Sequence, residues 1–277
     1  MKRWLATVVV IGISSAVVRA DITIVQTTTI EGGMAAMAPG GANPSPKITT
    51  RIKGLKSRTD MDLPPTLSLS TITDLVAKQL IVLKHDLKTA QTVDAAAAAA
   101  TTGAPAVTAT VSLDATVAPT GKSQVIDGLK CDEYTLTTAV GIAEMLGAQL
   151  PPEAAEQMKG LTMVMKGSMW VTRDAPGAAE YVAYQKALTK SDLAAATMKA
   201  SGVNLPGLDK MTKAMAGVDG LTYLMVMDMT VEGTGQMADM MRQMMGGMKI
   251  TTKVTSISAV AIGEDQFKIP EGYTITK

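Results

Sequence analysis

The chain has one Cys, one His, one Phe and two Trp among its 277 residues, and its charges nearly cancel. The lone Cys131 excludes a disulfide framework, and the lone His85 leaves a Ser-His-Asp triad or a His-based metal centre a single imidazole to draw on. Lys+Arg 26 against Asp+Glu 25 gives no basic excess for holding phosphates, so no nucleic-acid partner is expected. No Gly-Xaa-Ser-Xaa-Gly, His-Glu-Xaa-Xaa-His or phosphate-loop motif occurs, and nothing singles out a carboxylate pair. The chain therefore reads as non-enzymatic, with no catalytic residues, no cofactor and no dedicated metal site. At 47% hydrophobic residues it is nonetheless too apolar for disorder. With aromatics at 3%, the core needs another filler, and the residue in excess is Met, present 21 times.

Lys2 and Arg3 precede an uncharged run from Trp4 to Val18, and Val18-Arg19-Ala20 puts small residues at the minus-three and minus-one positions. That is the pattern of a secretory signal peptide at 1–20, cleaved after Ala20. The run is shorter than the roughly 20 apolar residues of a membrane span, and no later stretch replaces it. The processed chain, one β-rich domain at 21–277, is expected to be exported, periplasmic or extracellular, and not membrane-spanning. In an oxidising compartment Cys131 has no intramolecular partner and reads as buried.

Strand chemistry begins at once. Asp21 to Ile30 is rich in Thr, Ile and Val, and Lys47 to Met61 alternates Ile48, Thr50 and Ile52 with Arg51 and Lys53, one dry face and one wet. Arg51, Lys53, Lys56 and Arg58 read as a solvated strand face, and His85 as a surface turn residue. Leu69 to Leu75, Gln79 to Lys84 and Lys88 to Val93 form a meander. The Ala/Thr/Pro-rich stretch at 94–119 reads as a long loop. Strand character returns over Val125 to Thr138 around Gly128, then Val140 to Gly160 and Ala178 to Ala200 carry helix-like spacing. Pro151-Pro152 would start a helix at Glu153.

Methionine marks the candidate site. Met163, Met165 and Met169 alternate along Leu161 to Arg173, and Met225, Met227 and Met229 along Leu221 to Gly233, so two strands carry methionine ladders. Met237, Met240, Met241, Met244, Met245 and Met248 then follow the i, i+3, i+4, i+7, i+8, i+11 rule, the methionine face of an amphipathic helix. Lys249 to Ile262 is again a strand, and Phe267 to Ile275 a short final one around a turn.

Three stretches together resemble an uncharacterised family of bacterial secreted proteins. They are Lys53-Gly54-Leu55-Lys56-Ser57-Arg58 with the following meander, Ile126-Asp127-Gly128-Leu129-Lys130-Cys131-Asp132-Glu133-Tyr134, and Met169-Trp170-Val171-Thr172 leading to Phe267-Lys268-Ile269-Pro270-Glu271-Gly272-Tyr273. The layout is similar to the LolA/LolB-type lipoprotein-carrier fold. That resemblance implies an α+β, mainly β architecture: a curved antiparallel sheet, or half-barrel, with a few helices covering its concave face and an apolar concavity between them.

Methionine is unbranched and polarizable, so a wall built of it repacks around apolar partners of varied shape. The expected function is an exported binding protein that holds an apolar ligand, a lipid or acyl chain, between the sheet and the methionine-rich helix. Its lining candidates are the twelve methionines named above. Two other readings stay open on sequence alone: a structural or protein-interaction module of the cell envelope, with an envelope protein as partner and no ligand, and Cu(I) binding through thioether sulfur.

Overall fold

The computed structural model describes residues 21–32, 45–63, 67–94, 114–143, 152–191, 193, 214–215, 217–245 and 247–276. The expected signal peptide at 1–20 lies outside the described residues, as does 95–113 of the expected loop. The loop reading fails at both ends: Asp94 closes one strand, and Asp114 to Pro119 belong to another. Thr116 and Val117 supply β propensity, and the neighbouring strand offers them a ladder.

The strands in chain order are β1 (Ile22–Glu31), β2 (Lys47–Lys53), β3 (Lys56–Leu63), β4 (Leu67–Asp74), β5 (Gln79–Lys84), β6 (Thr89–Asp94), β7 (Asp114–Ile126), β8 (Leu129–Gly141), β9 (Thr162–Thr172), β10 (Leu221–Glu232), β11 (Met248–Ser258) and β12 (Thr274–Thr276). All twelve form one open, curled sheet in the order β12-β6-β5-β4-β3-β2-β1-β11-β10-β9-β8-β7. Every pairing is antiparallel except β12 on β6. The helices bounded among the described residues are α1 (Pro152–Gln157), α2 (Ala178–Thr189) and α3 (Gln236–Met245). The architecture is α+β, mainly β, a half-barrel, as the sequence led us to expect.

Local chemistry sets the register. Ile126 pairs with Leu129, leaving the two-residue turn Asp127-Gly128 with φ of 48° and 84°. Two positive φ values in a two-residue hairpin define the turn that Asp-Gly favours. Lys47 to Met61 proves to be two strands, because the chain reverses at Gly54-Leu55 and Lys53 pairs with Lys56. Val140 and Gly141 end β8 rather than start a helix, and α1 begins at the proline pair as its chemistry requires. Phe267 ends a 3-10 turn, Glu264–Phe267, so the last strand is only β12.

Both faces of the sheet are covered in part. On one face Ile22, Ile24, Ile52 and Val254 pack with Ala178 and Tyr184 of α2, and Cys131 is fully buried in the same cluster. Near β4 to β6 the opposite face carries Ile72, Ile81, Leu83 and Ala90, closed over by Ile262, Phe267, Ile269 and Tyr273 of the C-terminal segment.

The basic residues of β2 and β3 hold that segment in place, which corrects the reading of a solvated face. Lys53 Nζ donates to the Ile262 carbonyl at 2.6 Å, Arg58 to the Gln266 carbonyl at 3.2 Å, and Lys56 pairs with Glu264 at 3.1 Å. Arg51 opposes Arg58 in the register, a repulsive placement that Asp60 resolves by pairing with both guanidiniums.

Candidate functional site

The methionine ladders do share one sheet face. Met163, Met165 and Met169 of β9 stand opposite Val231, Met229 and Met225 of β10, and Gly167 opposite Met227. On the flanking strands Leu136 of β8 lies level with Gly167, and Ile250 of β11 with Met227. Met163, Met169 and Met227 are buried, while Met165, Met225 and Met229 are half-buried.

The helix contributes less than its pattern suggests. Met237 and Met241, like Met229, pack against the cluster that holds Met163, Leu161 and Val231, while Met240 is 48% exposed. Met248 is not on the helix: Gly247, with φ 72°, turns the chain, and Met248 opens β11 opposite Met229. It joins the wall from a strand. The side chains of Met244 and Met245 lie outside the described residues. Arg242 fixes the helix to the sheet by donating to the carbonyls of Val231 and Gly233, at 3.2 and 2.7 Å.

Among the described residues a cavity lies elsewhere on this face. A space of about 220 Å³ opens between α2 and strands β1 to β4, so its roof is α2 and not the methionine helix. Tyr181, Tyr184, Gln185 and Leu188 follow the i, i+3, i+4, i+7 rule, which aims one helical stripe at the sheet. The floor alternates apolar Ile24, Met61 and Leu69 with hydroxyl-bearing Thr50, Ser57, Thr59, Thr71 and Thr73, and Gln26 and Leu221 complete the lining. These floor residues are register partners: Ser57 lies opposite Thr73, Thr59 opposite both Thr50 and Thr71, and Met61 opposite Leu69. None of the twelve candidate methionines lines the cavity.

A hydrogen bond of 2.6 Å between the Tyr184 hydroxyl and Ser57 Oγ pins the roof to the floor. Burial pushes the phenols of Tyr181 and Tyr184 up, and the hydrogen bonds from Gln185 to the first and from Ser57 and Thr73 to the second only partly oppose it. Both phenols stay neutral at physiological pH. Sequence reasoning missed this site because a row of threonines reads as ordinary strand propensity. The available signal was the spacing of Tyr181, Tyr184 and Leu188, a helical stripe that needs a partner surface.

One other sequence reading changes, that of His85 as a surface turn residue. His85 is half-buried, with Nε2 at 2.5 Å from Ser70 Oγ and Nδ1 at 2.5 Å from the Tyr273 hydroxyl. Ser70 donates to Asp60, so it accepts from Nε2–H, and Nδ1 accepts from Tyr273. The order Asp60–Ser70–His85 is not that of a catalytic triad, in which the imidazole stands between carboxylate and hydroxyl. Ser70 is also 0% exposed. The network clamps the C-terminal segment to β3, β4 and the β5–β6 turn. The Cys131 thiol is pushed up by burial first and by Asp132 second, which makes it a weak nucleophile.

Among the described residues no helix is long and apolar enough to cross a membrane, and no group of three His, Cys, Asp or Glu is placed to hold a metal ion. Compared with known proteins, the chain matches no protein-family model and no curated protein. The class defined by fold and site is thus structural: a curled, mainly antiparallel sheet with a helix-roofed cavity on its inner face.

Proposed function

We propose that this is an exported, non-enzymatic binding protein of the lipoprotein-carrier type that holds an apolar chain, such as an acyl chain, on the inner face of its sheet. The observation that carries this reading is the cavity of about 220 Å³ between α2 and β1 to β4. Pockets for drug-sized ligands span about 300–1,000 Å³, so this space suits one chain segment rather than a whole multi-chain lipid. The half-buried Met165, Met225 and Met229 extend the same sheet face and supply an adaptable surface for the remainder of a longer ligand.

The test uses N-phenyl-naphthylamine, a neutral apolar fluorophore that brightens when it leaves water. The wild-type protein should enhance its emission, and Thr59→Trp, which fills the cavity from the floor, should abolish the enhancement while leaving the unfolding midpoint close to wild type. Absence of enhancement by the wild-type protein, or full enhancement by a folded Thr59→Trp variant, overturns the reading.

A further inference from the structure

Among the described residues, the cavity lining contains no Asp, Glu, Lys or Arg. Its polar groups are the hydroxyls of Thr50, Ser57, Thr59, Thr71 and Thr73, the two tyrosine phenols, and the amides of Gln26 and Gln185. From this we infer that the site selects a neutral amphiphile, one with hydroxyl or amide hydrogen-bonding groups on an apolar chain, against carboxylates and phosphates of the same chain. The inference rests on the binding reading above and names the ligand class.

An anion entering this space would leave water without meeting a cation, and burial of an unpaired charge is far more costly than burial of a hydrogen-bonded hydroxyl. The acidic and basic side chains around the roof do not remedy this. Glu180, in the first turn of α2, is acidic and buried, and Lys186 on the same helix is turned to Asp219 at 3.2 Å. Asp74, whose negative charge is felt at the Tyr184 hydroxyl, opposes an anion, with Lys56 at 3.9 Å its only cation partner among the described residues. Lys84 lies level with Leu69 in the register but is exposed and stands outside the lining. Hydroxyls and amides, in contrast, both donate and accept, so they match a glycerol, alcohol or amide head without a charge on either side.

The experiment displaces N-phenyl-naphthylamine from the full processed chain with ligands sharing one acyl chain: monooleoylglycerol, oleyl alcohol, oleate and oleoyl lysophosphatidate. The two neutral ligands should compete at concentrations at least tenfold below the two anions at neutral pH. Gln26→Lys, which puts a cation at the lining, should shrink or reverse that ratio for oleate. Thr59→Val and Thr71→Val should weaken monooleoylglycerol by a larger factor than they weaken the fluorophore or oleyl alcohol, which use fewer of the lining hydroxyls. If the fluorophore binds and oleate competes as well as monooleoylglycerol, the selectivity is refuted and the binding reading survives. If the fluorophore does not bind at all, the binding reading has failed.

Discussion

Gly167 is the position where the methionine wall depends most sharply on a missing side chain. A Cβ there would stand 2.8 Å from the Met227 Cα and still closer to the Val226 carbonyl oxygen, whereas ordinary contact begins at 3.4 Å. Both obstacles are backbone of β10, in a ladder running from Leu221 to Glu232, so no rotamer change relieves the clash. Gly167→Ala must push the two strands apart by more than about half an ångström, an overpacking change of the kind that costs about 1–3 kcal/mol. With no flexible side chain to absorb it, the expectation is the upper end, about 3 kcal/mol. For a domain of this size that lowers the melting temperature by roughly 6–12 °C. Gly217→Ala is the matched control, because a Cβ there meets nothing within 4 Å. Urea unfolding should show a lower midpoint for the Gly167 variant at unchanged slope, with the control within about 0.5 kcal/mol of wild type. Equal midpoints for the two variants would refute the close approach of β9 and β10.

Asp60→Asn should cost about 2–3 kcal/mol, since one carboxylate serves Arg51, Arg58 and Ser70. Although its burial acts the other way, these hydrogen bonds and the Arg58 charge hold the Asp60 carboxyl below its usual range. Its contribution is therefore present above about pH 4 and is lost as the pH falls further, and a pH series of unfolding midpoints should show a steeper decline there for the wild type than for the Asn variant. Thr138 Oγ1 is buried without a hydrogen-bond partner among the described residues, so Thr138→Val should stabilise by about 1 kcal/mol, and a loss of stability would mean that the hydroxyl is bonded. Met240→Lys should shift the unfolding midpoint by less than about 0.5 kcal/mol, whereas Met163→Lys should prevent native folding, judged by soluble yield and near-ultraviolet circular dichroism.

Where periodicity was strong, the sequence was a sufficient guide. Alternation around Met163 to Met169 and Met225 to Met229 and the helix of Gln236–Met245 lie where their chemistry placed them, whereas Val125 to Thr138, read as strand around Gly128, is two strands joined by the Asp127-Gly128 turn. Boundaries failed where two elements share one pattern. Lys47 to Met61 alternates evenly across the Gly54-Leu55 reversal, and Met248 keeps the helical spacing although the chain has already turned at Gly247. The charges of β2 and β3 were misread because their partners, Ile262 to Gln266, are some 200 residues away in sequence. The cavity was invisible for a related reason: it is formed between a helix and strands more than 100 residues upstream, and Thr50, Thr59 and Thr71 look like plain strand residues until the register sets them side by side.

Whether the α2 cavity holds a ligand is measured directly by native mass spectrometry of the processed protein purified from an exporting host. The expected result is a reproducible added mass on the wild-type chain, released by solvent extraction as a neutral amphiphile and missing from Thr59→Trp. A clean mass for the chain alone, with no uptake on incubation with monooleoylglycerol, would contradict it.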